Sequence, residues 1–164
     1  MKRTDFAAIA CSIARSAAII GDEWALLVLR DVTLGLRRFD ELQRDLGVAT
    51  NVLTDRLERL TRAGVLRRDL YQQHPARFEY ALTDKGSELV PILLALTEWG
   101  DRWEAGEAGP PLTIRHQTCG QRSHAVVTCD ACGEPLTQDT VTYRPGPGGR
   151  TAPGTALIAG QLHG

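Results

Sequence analysis

Long apolar runs are missing from this sequence: no stretch reaches the roughly 18 residues that suggest a membrane helix. The opening Met-Lys-Arg-Thr-Asp-Phe leads into an apolar stretch that Arg15 interrupts, unlike the core of a secretion signal. The expected compartment is therefore the cytoplasm. Aromatic residues are scarce at 5%, and the net charge is only −1, so bulk charge alone does not point to nucleic acid. Lysine is nearly absent, and arginine carries the positive charge. That preference suits bidentate phosphate contacts, although a GC-rich genome produces it too. Cysteines occur at positions 11, 119, 129 and 132. In a reducing compartment this pattern indicates a metal or a reactive thiol sooner than a disulfide framework. No Ser-His-Asp order, carboxylate-lined pocket or phosphate-cradling glycine loop is legible, so an enzyme is not expected.

What is present is an ordinary globular composition, 43% hydrophobic and 24% charged over 164 residues. That length suits one domain, or one domain with a small appendage. The charge is unevenly spread. From Arg30 to Arg77 ten basic residues face seven acids; from Asp84 to Gly109 six acids face Lys85 and Arg102. The basic segment contains the most informative stretch, residues 38–64. Phe39, Leu42 and Leu46 share one helical face, and Leu53, Leu57 and Leu60 share another. Gly47 lies between them, Thr50 is the expected N-cap of the second helix, and Gly64 its stop. Two short helices around a glycine turn form a helix-turn-helix.

The flanks complete the pattern. Residues 6–20 read as a first helix and Glu23 to about Leu34 as a second, capped by Asp22. Residues 65–71 and 77–82 read as a hairpin, with Phe78, Tyr80 and Leu82 on one face and Gln72–Ala76 as a polar tip. Thr83 caps a long helix over 84–105, which Pro91 is expected to kink or break. The fold class is thus mainly α with a β-hairpin wing, plus a small β-rich C-terminal extension. Expected boundaries are 1–105 for the winged-helix domain, 106–111 for a linker, 112–144 for a zinc-ribbon-like extension and 145–164 for a flexible tail. Strands are expected at 112–114, 125–128 and 141–143.

A helix fits the DNA major groove, and a hairpin tip beside it reaches the backbone or minor groove. Base edges are met by the start of such a helix, which selects Thr50, Asn51, Thr54 and Asp55. Arg56 and Arg59 are expected at phosphates or in pairs along the helix. Arg37 and Arg38 are expected to hold phosphate together with the N–H groups that open the preceding helix. His74 and Arg77 stand at the wing.

Specific motifs then carry a resemblance. They are Cys11-x-Ile-Ala-Arg15, Ile20-Gly-Asp-Glu-Trp-Ala-Leu-Leu-Val-Leu-Arg30, Arg38-Phe-Asp-Glu-Leu42, Asn51-Val-Leu-Thr-Asp-Arg-Leu57, Ala63-Gly-Val-Leu66, Tyr80-Ala-Leu-Thr-Asp-Lys-Gly86 and Trp99-Gly-Asp-Arg-Trp103. Residues 11–103 resemble the HxlR-type branch of the MarR-like winged-helix regulators. The resemblance implies a homodimer that binds double-stranded DNA, built through residues 6–20 and 84–105 and reading an inverted repeat. It also implies that Cys11, one turn before Arg15, is a sensor of oxidants or electrophiles. Read from its neighbours alone, Cys11 is a buried structural thiol.

Beyond the linker a small repeat appears: His116-Gln-Thr-Cys119-Gly120 and Cys129-Asp-Ala-Cys132-Gly133. Ligand, two residues, ligand, glycine is the zinc-knuckle pattern, and two knuckles provide a closed site for structural Zn2+ from His116, Cys119, Cys129 and Cys132. His124 competes as the fourth ligand. A metal-free hairpin with reduced thiols is the alternative. Two other functions compete with the regulator: an adaptor docking partners through this extension, and a thiol oxidoreductase using Cys129 and Cys132. The second lacks the α/β surroundings such a motif wants.

Overall fold

The computed structural model describes residues 5–162. Residues 1–4 of the expected first domain and 163–164 of the expected tail lie outside the described residues. The described residues form two compact units, one from residues 5–86 with 142–162 and the other from residues 87–141.

The first unit is built on α1 (Ser12–Ile20), α2 (Glu23–Thr33), α3 (Phe39–Leu46), α4 (Thr50–Arg62) and a hairpin of β1 (Leu66–Gln72) and β2 (Arg77–Leu82). Its core is aliphatic: Ala25, Val28, Leu29 and Val32 from α2, Leu42 from α3, Leu53, Leu57 and Leu60 from α4, with Val48, Val65 and Leu66. Each such large side chain contributes roughly 1.5–3 kcal/mol when fully buried. The three leucines of α4 therefore fix the rotation of that helix about its axis. Gly47, at φ +61°, ends α3 and turns the chain.

Two expectations need correction here. The helix expected over 6–20 is a short 3-10 turn, Phe6–Ala8, followed by a break and then α1, with extended Cys11 at the N-cap. Asp5 caps the turn by accepting from the Ala7 N–H, which favours stopping over continuing. The N-cap of α4 is Ala49, not Thr50. The Thr50 hydroxyl instead accepts from Gln43 Nε2 at 2.8 Å, stitching α3 to α4. Within residues 145–162, where a flexible tail is expected, the chain makes contacts of its own. Arg150 donates to the Ala8 carbonyl, Thr155 is buried and donates to the Arg150 carbonyl at 3.0 Å, and α7 (Ala156–Leu162) follows. A Gly- and Pro-rich chain forms little regular structure, but its slim backbone can still lie against a neighbour.

The wing pairs Leu66 with Leu82, Arg68 with Tyr80 and Leu70 with Phe78, with a bulge before Gln72. Arg38 adds a single bridge to Glu79, and the Tyr80 N–H donates to the Arg37 carbonyl at 2.8 Å. The segment before α3 thus acts as a third, minimal strand of the wing. Thr83 accepts from the Gly86 N–H and caps α5 (Asp84–Ser87).

The second unit holds α6 (Val90–Trp103), with Pro91 in its first turn. The helix expected over 84–105 is therefore two helices, because proline is tolerated only where its missing N–H is not needed. Two small hairpins follow. β3 (Ile114–Arg115) pairs with β4 (Arg122–Ser123), and Thr128 bridges Pro135. β3 starts where the strand expected at 112–114 ends, Thr128 lies within the one expected at 125–128, and residues 141–143 form no strand. The knuckle turns set the pairing, not the short apolar runs, and Val126 and Val127 remain exposed. Among the described residues no helix is long and apolar enough to cross a membrane.

Candidate nucleic-acid interface

Burial of Leu53, Leu57 and Leu60 turns Asn51, Thr54, Asp55, Glu58 and Arg62 of α4 to solvent. The side chains of Thr50 and Thr54 are partly committed: Thr50 accepts from Gln43, and Thr54 donates to the Thr50 carbonyl at 2.8 Å. Asn51 has no such internal partner among the described residues.

The two central arginines of α4 lie on the other flank. Arg56 Nε donates to Asp22 Oδ1 at 2.7 Å, and Arg56 also pairs with its neighbour Asp55. Arg59 Nη1 stands 3.6 Å from Asp22 Oδ2, and its other terminal nitrogen donates to the Ala18 carbonyl. Their side chains are only 21% and 26% exposed. Both arginines thus tie α4 to the start of α2 and do not present free charge to a phosphate.

Arg37 and Arg38 meet a carboxylate of their own chain. Their backbone N–H groups both donate to Glu41 Oε2, at 3.2 and 3.0 Å. These hydrogen bonds hold the Glu41 carboxyl below its usual range. The chain's own carboxylate thus takes the backbone N–H groups of both residues just before α3. The Arg38 guanidinium turns to the wing, 3.4 Å from Glu79 Oε1 and 4.9 Å from the centre of the Tyr71 ring. The Arg37 side chain forms no ion pair among the described residues.

Between α4 and the wing runs an open groove of about 470 Å³, lined by Phe39, Thr54, Glu58, Thr61, Arg62, Arg68 and Tyr80. A second concavity of about 440 Å³ continues along the wing past Tyr71, Arg77 and Phe78. Arg68 lies on both, its guanidinium 3.4 Å from the centre of the Phe78 ring. Burial raises the Tyr80 phenol above its ordinary value. His74 and Arg77 are exposed at the tip of the wing. The structure therefore brings together Thr50, Asn51, Thr54 and Asp55 on one helix edge, and it adds Arg62 and Arg68 to the expected set.

In the second unit, His116 Nδ1 lies 3.5 Å from Cys119 Sγ. Cys129 accepts from the N–H groups of Ala131 and Cys132, which lowers its thiol pKa. His124 is engaged elsewhere: its Nδ1 lies 2.8 Å from Glu98 Oε2 on α6. In the first unit, half-buried Cys11 lines a cleft of about 460 Å³ with Arg15, Tyr143, Arg144 and Arg150.

The family model for HxlR-like helix-turn-helix proteins matches residues 19–108, more than half of the sequence. The chain belongs to the HxlR-like helix-turn-helix family. An HTH-type transcriptional regulator of Mycobacterium tuberculosis, itself uncharacterised, is 39% identical over 137 residues, covering 84% of this chain and 87% of that protein. The crystal structure of PA1607, a proposed transcription factor, matches at TM-score 0.76 and 33% identity, over 85% of this chain and 98% of that one. The redox regulator HypR in its oxidised form matches at TM-score 0.52 and 32% identity, over 56% of this chain and 96% of that one.

For this HxlR-like chain, Arg62 and Arg68 were the residues that sequence reasoning left off the interface. Both carried a signal. Arg62 falls on the polar stripe of α4 with Asn51, Asp55 and Glu58, and Arg68 falls opposite Tyr80 once the hairpin is registered.

Proposed function

We propose that this chain is a cytoplasmic transcriptional regulator, not an enzyme, that binds double-stranded DNA sequence-specifically as a homodimer on an inverted repeat. The observation that carries the reading is the exposed edge of α4, ending at Arg62, beside a wing whose Arg68 and Arg77 line the adjoining concavities. Asn51, with Thr50, Thr54 and Asp55, meets base edges in the major groove; Asp55 can accept from a cytosine amino group. Arg37, Arg62, Arg68 and the wing residues His74 and Arg77 position the backbone. The dimer follows from α6. Ile92, Leu96, Trp99 and Trp103 recur along one helical face and are 49%, 48%, 58% and 67% exposed. A stripe of that size calls for a partner, and a second copy supplies an identical stripe.

Binding to genomic fragments across a salt titration tests this. Affinity falls steeply with salt, with a log–log slope of about −0.9 for each phosphate neutralised. A footprint shows two protected half-sites about one helical turn apart. Equal affinity for all fragments contradicts the reading. Redox control is part of the same proposal, supported by the half-buried thiol of Cys11 and the likeness to HypR. Oxidant changes operator affinity in the native chain, and Cys11→Ser abolishes that response; an unchanged response in Cys11→Ser refutes it.

A further inference from the structure

We propose that His116, Cys119, Cys129 and Cys132 bind one structural zinc ion, which draws two matching turns of the second unit together. The turns agree bond for bond. In the first, the His116 N–H donates to the Gln121 carbonyl at 2.9 Å and the Gly120 N–H to the His116 carbonyl at 2.8 Å. In the second, the Cys129 N–H donates to the Glu134 carbonyl and the Gly133 N–H to the Cys129 carbonyl, both at 2.8 Å. Gly120 and Gly133 have φ of +67° and +77°, and a Cβ on either would meet nothing within 4 Å. Glycine is therefore required by the backbone conformation of the knuckle and not by crowding.

The contents of each turn then matter. His116 lies beside Cys119, whereas His124 is taken by Glu98, which assigns the fourth position to His116. Three thiolates and one imidazole make a soft, tetrahedral donor set that suits zinc. Four protein ligands leave no open position, so the ion is structural. Each thiol that coordinates releases its proton to solvent, leaving a site of net charge −1.

The second unit also needs the ion. No residue from Ser87 to Val141 is buried. A unit of this size without a core requires another source of stability, and a metal is one of the few available. Among the described residues no three His, Cys, Asp or Glu side chains gather closely enough to grip an ion. The donors and both turns fit zinc; the closing of one turn onto the other is what the ion supplies.

The test uses the full chain purified without chelator. Elemental analysis finds about one zinc per chain. A thiol reagent modifies Cys11 alone until a strong chelator is added, and then the other three cysteines. Cys119→Ser, Cys129→Ser and His116→Ala each reduce the bound zinc at least tenfold after dialysis, and His124→Ala retains it. A metal-free native chain whose four thiols all react at once overturns the proposal, and needs no variant to fold. Zinc retained in Cys129→Ser also overturns it. Loss in His124→Ala with retention in His116→Ala overturns the ligand assignment.

Discussion

Asp22 is the residue whose removal the structure predicts to be most costly outside the aliphatic core. One carboxylate serves two helices. It caps α2 by accepting from the Ala25 N–H at 3.0 Å, and it receives Arg56 Nε at 2.7 Å, with Arg59 at 3.6 Å. Asp22 and both arginines are about three-quarters covered, so these contacts are only partly screened by water. Losing an N-cap costs about 1 kcal/mol. Losing a charge-assisted hydrogen bond costs about 1.5–3 kcal/mol. The Arg59 contact adds less than about 1 kcal/mol at its longer distance. Because all three share one group they do not add fully, and Asp22→Ala should cost roughly 2–4 kcal/mol. Asp22→Asn keeps a capping oxygen and loses the charge, so roughly 1–2 kcal/mol is expected. Urea unfolding at fixed protein concentration, followed by far-ultraviolet circular dichroism, measures both. At a slope of about 2 kcal/mol/M the midpoint falls by roughly 1–2 M for Asp22→Ala. A cost below about 0.5 kcal/mol, within the range of an ordinary surface change, would show that Asp22 does not join α2 to α4.

Three further outcomes are expected. Asp31 is 1% exposed, and its burial, opposed by Arg30, raises its carboxyl above the ordinary 3.8. Its proton is held more tightly in the folded chain than in the unfolded one. Relative to Asp31→Asn, native stability therefore rises as pH falls from the folded value towards 3.8, and denaturant titrations across that window detect it; a flat or reversed difference contradicts the assignment. Gly86 is buried, and a Cβ there would lie 2.2 Å from the Val65 carbonyl oxygen, so Gly86→Ala should cost about 1–3 kcal/mol by thermal or urea unfolding. Trp99→Glu places charge on the exposed apolar face of α6 and should weaken self-association on the order of 30-fold or more by sedimentation velocity, with a monomeric parent protein as the contrary result.

The helix-turn-helix was legible because leucine spacing alone fixes which side of α4 is buried. The same spacing placed Asn51, Thr54 and Asp55 outward. Partners distant in sequence were not legible. Nothing near Arg56 announces Asp22, which lies 34 residues earlier in the chain and claims Arg56 and Arg59 of α4. Glu41 was visible three residues after Arg38, yet whether it or a phosphate takes the N–H groups is decided by how the chain enters α3. The C-terminal extension was read correctly in its repeat and incorrectly in its strands. Short runs such as Val126–Thr128 resemble strands in any small segment, while the pairing observed follows from the turns at Gly120 and Gly133. The contacts of residues 150–155 were not legible, because composition reports what a segment cannot form, not what it can lie against.

In the proposed DNA complex labour is divided: the polar edge of α4 would read sequence, and Arg37, Arg62, Arg68 and Arg77 would position the protein. Anisotropy titrations over a range of salt, on a selected operator and on a scrambled duplex, test it with Asn51→Ala and Arg68→Ala. The account predicts that Asn51→Ala loses about 1–3 kcal/mol of discrimination between the two duplexes with its salt slope unchanged. Arg68→Ala keeps the discrimination and loses about one unit of slope. Discrimination that survives Asn51→Ala intact, or falls with Arg68→Ala at constant slope, would contradict it.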